Sequence, residues 1–384
     1  MSVKRTLVSD LKAVAKYPAL GVWFLLLLSI PFYVLPSGLP QPGNVLIFFL
    51  LPLAFYGWNG RLPKVGSRPL KWLGWFTFWV CLVNIVWALI LGEWAVSGDS
   101  FTVFPFYYLY NIIVFMVVLV MHQRFGDLFL RVTMHVLFIA VGIQCVASMF
   151  MLDATQLRNE LFFNNPNQLG FWALLAASII ALCQRRLNTP KWLTSIMLLC
   201  CAYLAFVSAS RAAVGGVGIL FFLLLFSNPR LVVIGSLVVL GLVFAGGPVA
   251  EVLNATERRI EYRRDEQLST GRGYDRMWTH KEHLALGAGE GAKYRFAENP
   301  DLVIEIHSSL GTVLFSYGVI GTLLFLAFLW NVISRTTLRT SLMLAPCLAY
   351  MVTHQGLRFS MLWVFLAMFV IVKRPRSAVG AESA

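Results

Sequence analysis

Apolar runs recur along this chain from residue 19 to residue 372, broken by short polar connections. A helix needs roughly 20 such residues to cross about 30 Å of hydrocarbon. The pattern predicts twelve spans, at 19–35, 44–58, 72–92, 103–121, 132–152, 168–184, 192–209, 212–227, 231–247, 307–330, 341–353 and 359–372. It breaks once. Residues 248–305 hold nine of the chain's 31 basic residues and eleven of its 18 acidic ones. The chain thus reads as one transmembrane domain, 1–384, with a polar loop, 248–306, between spans nine and ten. Within that loop, 249–267 and 275–286 are spaced as helices, and Gly287, Gly289 and Gly291 then interrupt the chain.

Composition agrees. Of the residues, 58% are hydrophobic and 13% charged, against about 25% charged in a soluble domain. The mean hydropathy is +0.73. The backbone must satisfy its own hydrogen bonds in lipid, so the spans are helical. The expected fold class is an all-α polytopic integral membrane protein. The first apolar run is followed by a proline-rich stretch with no small-residue cleavage site, so it is read as a span and not as a signal peptide. All six cysteines fall inside apolar runs without a CxxC spacing, which argues against a disulfide framework or a zinc site.

Charge sets the expected orientation. With alternating spans and a cytoplasmic N-terminus, the cytoplasmic segments hold 19 of the 31 basic residues against three acids, Asp10, Asp127 and Glu382. The connections at 61–71 and 185–191 carry much of this bias, as the positive-inside rule requires. Both termini are then cytoplasmic, and the long loop lies on the opposite, periplasmic side of a bacterial inner membrane. This topology accounts for the net charge of +13 without nucleic acid as a partner. It adds an attraction to anionic membrane lipid.

Few residues carry candidate chemistry. Arg211 follows Ser208-Ala209-Ser210 and precedes Ala212, Ala213, Gly215 and Gly216. It reads either as an arginine snorkelling to headgroups or, because small neighbours let helices approach closely, as one facing the protein interior. Its rigid fork of donors suits a phosphate. Arg272 lies between Gly271 and Gly273, where backbone N–H groups can form an anion nest; the alternative is a solvated loop arginine. His307 stands where the loop enters span ten, followed by Ser308. It is either a helix-end cap or a base able to take a hydroxyl proton near neutral pH. Glu290, between two glycines, is a candidate acid or base or a substrate contact. Asn165, Asn167 and Gln168 before span six are either a turn and helix start or a sugar-binding edge. His280 and His283 form an HxxH with no third ligand evident, so no metal site is assigned.

Several of these stretches, taken together, resemble the O-antigen ligase and polymerase superfamily. They are Ser208-x-Ser210-Arg211-Ala212-Ala213, Thr270-Gly271-Arg272 with Trp278, Gly287-Ala288-Gly289-Glu290-Gly291, and His307-Ser308 spaced nine residues from Gly318-Val319-Ile320-Gly321-Thr322. Asn165-Pro166-Asn167 is also similar to a family feature, and the resemblance spans 164–322. It implies a GT-C-like membrane glycosyltransferase that needs no metal or cofactor. Its partners would be an undecaprenyl-diphosphate-linked glycan donor and an acceptor, either lipid A-core or another glycan. The roles it implies are diphosphate binding and catalysis by Arg211 and Arg272, and catalysis by His307. Ser210, Glu290, Ser308, Asn165, Asn167 and Gln168 are further candidate substrate contacts. The His307–Thr322 spacing favours an O-antigen ligase; a polymerase using the same donor is the alternative, and a polysaccharide transporter or flippase a further one. The chain is compact: Arg272 and His307 are 35 positions apart, which leaves less room for an acceptor-binding subdomain.

Overall fold

A computed structural model describes residues 3–36, 39–58, 60, 64–94, 100–152, 156, 158–225, 273–296 and 305–372. Predicted span nine, the stretch 249–267, and Arg272 lie outside the described residues. Among those described, the fold is all-helical. The longer helices are α1 (Val3–Lys16), α2 (Pro18–Ser29), α3 (Pro42–Phe55), α4 (Lys64–Leu91), α5 (Val103–Phe125), α6 (Asp127–Met151), α7 (Pro166–Leu187), α8 (Lys191–Val207), α9 (Arg211–Leu225), α10 (Ser309–Ile333), α11 (Ala345–Thr353) and α12 (Ser360–Val372).

Among the described residues, α4, α5, α6, α7 and α10 are each long and apolar enough to cross a membrane. The end of α1 and α2 form a sixth candidate if counted as one broken span, bent by 108°. Pro18 explains the bend. Its ring fixes its own backbone and pushes Tyr17 out of the helical region, to φ −113° and ψ 103°. The apolar helices α3, α8, α9, α11 and α12 are shorter. The chain is thus a multi-pass helical membrane protein.

The apolar-run pattern did not reveal α1, because it is amphipathic and not uniformly apolar. Its Asp10 is buried against α6, where Arg131 Nε lies 3.2 Å and His135 Nδ1 3.4 Å from the carboxylate. The expected helix at 275–286 is corrected too. It is a single turn, Arg276–Thr279, followed by a 3₁₀ turn, Lys281–Leu284.

Burial is uneven in a way that suits lipid. On α7 every residue from Leu169 to Gln184 is buried, and on α12 every residue from Met361 to Val370. Gly170, Ala173, Ala176, Ala177 and Ala181 let α8, α9 and α12 close on α7. Conversely, Phe48, Phe49, Trp75, Phe78, Ile90, Phe150, Leu323 and Trp330 are exposed. Such an apolar surface is unstable in water and natural in hydrocarbon.

One helix is broken on purpose. Inside α10, Gly318 has φ 66° and ψ −172°, a region open essentially to glycine alone. The break frees three carbonyls from the helical ladder. Phe315 O accepts from Ala288 N and Ser316 O from Gly289 N, both at 2.9 Å, while Tyr317 O accepts from Trp79 Nε1 at 2.8 Å. The glycine-rich stretch of the polar loop is therefore bolted to α10 through its main chain.

Candidate functional site

Two polar nodes lie where helix ends meet. The first is built on the docked stretch 287–291. Gly287, at φ +102°, passes so close to α10 that a Cβ would sit 2.4 Å from Ser316 O. Trp87 Nε1 donates to Gly287 O at 2.9 Å. Arg295 donates to Ala288 O at 2.6 Å and stacks on Trp87 and Phe101 at 4.6 and 4.9 Å. This scaffolding fixes Glu290, which is only 4% exposed.

The Glu290 carboxylate is surrounded by donors. Oε1 accepts from Arg358 Nη2 at 2.5 Å and Nε at 3.1 Å. Oε2 accepts from the Tyr317 and Tyr108 hydroxyls at 2.6 and 3.1 Å. Its backbone N–H donates to Asn84 Oδ1 at 3.0 Å. A carboxylate offers about four lone-pair positions, so these side chains saturate it. A buried charge survives only when paired and hydrogen-bonded in this way. The geometry makes Glu290 a clamp joining α4, α5, α10 and the connection before α12.

Glu305 extends the network. Lys293 Nζ lies 2.5 Å and Arg358 Nη1 3.4 Å from its Oε1. Burial would raise this carboxyl, but the Arg358 and Lys293 charges and their hydrogen bonds outweigh it and hold it at about 2. Burial likewise opposes the charge on Arg358, and the carboxylates of Glu290 and Glu305 overcome it, so its guanidinium sits above the ordinary arginine value. A cavity of about 30 Å³ adjoins these groups; Arg276, Thr312, Gln355 and Phe315 also line it.

The second node joins the start of α7 to the α8–α9 turn. Asn165 caps α7, its side chain accepting from Asn167 N at 2.8 Å. Arg158 Nη2 donates to Asn167 Oδ1 at 2.5 Å and Nε to Ser208 O at 3.1 Å. Tyr350 on α11 donates to Asn167 O at 2.8 Å and stacks on Phe171 and His354, both at 4.4 Å. Ser210 is buried in the turn, and Gln168 is half-buried.

The connection 354–358 links the nodes. His354 O accepts from Ser309 N and Oγ at 3.1 and 2.9 Å, and Gly356 N donates to Ser309 Oγ at 2.8 Å. Gln355 Nε2 donates to Thr312 Oγ1 at 3.0 Å. Asn111 Nδ2 on α5 donates to Leu357 O at 3.0 Å. Arg358 then closes on Glu290.

The sequence candidates fall into place unevenly. Arg211 is the first residue of α9 and is exposed. His307 is exposed one residue before Ser308, which caps α10 by accepting from Gly311 N at 3.0 Å. Tyr274 donates to the His307 carbonyl at 3.4 Å. Among the described residues, no hydrogen bond or ion pair joins Arg211 to His307. Asn165 and Ser308 serve as helix caps. His280 and His283 lie among aromatic rings, and His280 Nδ1 sits 3.3 Å from Glu282.

Sequence reasoning missed Arg158, Lys293, Glu305, Arg358, Tyr108 and Tyr317. One signal was available for Arg358: a charge in a short connection, two residues before an uncharged helix. Neither a scan of family models nor a search of curated proteins finds a match to the chain.

Proposed function

We propose that this chain is a glycosyltransferase of a bacterial inner membrane, moving a glycan from an undecaprenyl-diphosphate carrier to an acceptor hydroxyl. In this reading it has twelve spans, cytoplasmic termini and a periplasmic site. The observation that supports it is convergence. The stretches behind the resemblance are separated in sequence, yet those that are described pack against one another in pairs. Gly287–Gly291 docks on the Gly318 break, Asn167 is tied to Ser208 through Arg158, and Ser309 is tied to both nodes through 354–358.

The chemistry asks little of the protein. Undecaprenyl diphosphate is already a good leaving group, so positioning and charge stabilisation carry most of the rate. Arg211 and Arg272 hold the diphosphate. His307, exposed at the mouth of α10, orients or deprotonates the acceptor. Lipid A-core is the favoured acceptor, on the His307–Thr322 spacing.

The test is genetic and chemical. The gene is deleted, surface glycan is run on a gel, and the strain is complemented with Arg211→Ala, Arg272→Ala or His307→Ala. Deletion should remove glycan-capped lipid A-core, and no variant should restore it although each still inserts. A single-repeat ladder would reassign the acceptor to a second carrier-linked glycan, as in a polymerase. Full restoration by His307→Ala would remove the proposed base.

A further inference from the structure

The second half of α1 presents three different faces. Residues three and four apart share a helix face, so Asp10 and Val14 form one stripe, and Tyr17 continues it past the helix end. Asp10 is 3% exposed and paired with Arg131 and His135 on α6, while Val14 and Tyr17 pack on the core. Ser9, Lys12 and Lys16 form a second stripe, and all three are exposed. Leu11 and Ala15 form a third, also exposed, with Leu11 at 46%.

Charge follows the same division. In sequence, α1 holds one acid, Asp10, and four basic residues, Lys4, Arg5, Lys12 and Lys16. The carboxylate is turned onto α6, so between Ser9 and Lys16 the outward faces are apolar on one side and basic on the other. Lys16 Nζ lies 5.4 Å from the centre of the Tyr17 ring, which orders it and leaves its charge. The direction of the helix matters as much. Ser9–Lys16 meets Pro18–Ser29 at 108°. With α2 entering the bilayer against α6, a bend of this size lays Ser9–Lys16 close to the membrane plane. A helix in that plane meets acyl chains with its apolar stripe and headgroups with its basic one.

We propose that Ser9–Lys16 is an interfacial helix that binds anionic phospholipid. Leu11 and Ala15 enter the acyl-chain boundary, Lys12 and Lys16 contact headgroup phosphates, and Asp10 latches the helix to α6. Charge selects the lipid. Each lysine close to a negative surface favours the seated helix, and the one acid that would oppose it is already paired. Leu11 and Ala15 bury little apolar area, so the lysines carry the preference. The surface is separate from the Glu290 network and stands or falls independently of glycan transfer.

The experiment places a thiol on each outward stripe, Leu11→Cys or Ser9→Cys, in the full chain in nanodiscs. The probe is an uncharged, water-soluble maleimide, and the labelling of the unaltered chain with its six native cysteines is subtracted. In phosphatidylglycerol nanodiscs Leu11→Cys should label about tenfold more slowly than Ser9→Cys. In phosphatidylcholine the difference should narrow. Adding Lys12→Gln and Lys16→Gln together to Leu11→Cys should remove most of its protection in phosphatidylglycerol. All four substituted positions are exposed, so the variants should fold. Equal labelling at the two positions in phosphatidylglycerol overturns the proposal. So does protection that is as strong in phosphatidylcholine or that survives loss of both lysines. A disulfide-linked dimer through Leu11→Cys would assign the stripe to a second copy of the chain and overturn it too.

Discussion

Replacing Gly318 by alanine tests the link between the broken helix and the site most directly. The backbone there, φ 66° and ψ −172°, costs a non-glycine residue about 1–3 kcal/mol. Space is also lacking. An added Cβ would lie 2.5 Å from Ala285 O and 2.7 Å from Gly287 N, both main-chain atoms that cannot rotate away. The escape is to straighten α10. The Phe315 and Ser316 carbonyls would then return to the helical ladder, and Ala288 N and Gly289 N would lose their acceptors. Two such bonds are worth about 1 kcal/mol each, while keeping the break retains the strain and the close contacts, so by either route the docked state should lose roughly 2–3 kcal/mol. Hydrogen exchange reads this locally. If those amides exchange by local opening, a loss of about 2–3 kcal/mol speeds them by roughly one and a half to two orders of magnitude. The far end of α10, beyond Thr322, should change little. Unaltered protection at Ala288 and Gly289 in a folded Gly318→Ala protein would refute the reasoning.

Three further outcomes are expected. Glu290→Gln and Arg358→Gln should each lower thermal stability in detergent by about 2–4 kcal/mol, since each strands a partly buried partner. The double variant should recover about 1–3 kcal/mol of their sum; strict additivity would mean that the pair does not couple. Arg158→Lys should cost about 1–2 kcal/mol, because a single ammonium cannot serve both Ser208 O and Asn167 Oδ1 as the guanidinium fork does; an unchanged melting temperature counts against that bridge. For Glu305 the sign follows from its lowered folded-state value, about 2, against about 4.3 for a free glutamate. Its stabilisation is complete above about pH 5 and is lost as pH falls towards 2. The stability gap between wild type and Glu305→Gln should therefore shrink between pH 5 and pH 3, and a gap constant over that window contradicts the pairing.

How much of this was readable beforehand depended on distance along the chain. Uniformly apolar helices such as α5 and α10 announce themselves by composition. The start of α7 is local too: Asn165 caps it and Pro166 follows. The amphipathic α1 escapes a search for apolar runs because its apolar positions are interrupted by polar ones. The glycines at 287, 289 and 318 were visible as residues, but the docking of two stretches through their main chains was not, since backbone pairing leaves no side-chain signature. The Glu290–Arg358 pair joins residues 68 positions apart, and each looks unremarkable alone. Tyr108 and Tyr317 were hidden for another reason. Aromatic residues in spans are usually packing or interface groups, and only the fold shows both hydroxyls turned on one carboxylate.

The placement of charge also bears on the rival reading of a polysaccharide carrier. Ion-coupled carriers keep ionisable groups near the middle of the membrane, often on broken helices. Here the break in α10 lies nine residues from its start, beside the Glu290–Arg358 network. The helices at the centre of the bundle are closed. Between Leu169 and Cys183 on α7 no side chain is ionisable apart from Cys183, and the one hydroxyl, Ser178, is returned to Leu174 O at 2.8 Å. Between Met361 and Val370 on α12 there is no ionisable residue at all. A hydrated path along either helix would have to open a close-packed interior lined mostly by apolar side chains. A site at the helix ends, reached from the surface or from lipid, requires no such opening. Substrate flux by the purified protein in proteoliposomes, without any transfer product, would set this argument aside. Transfer with no flux is the outcome it expects.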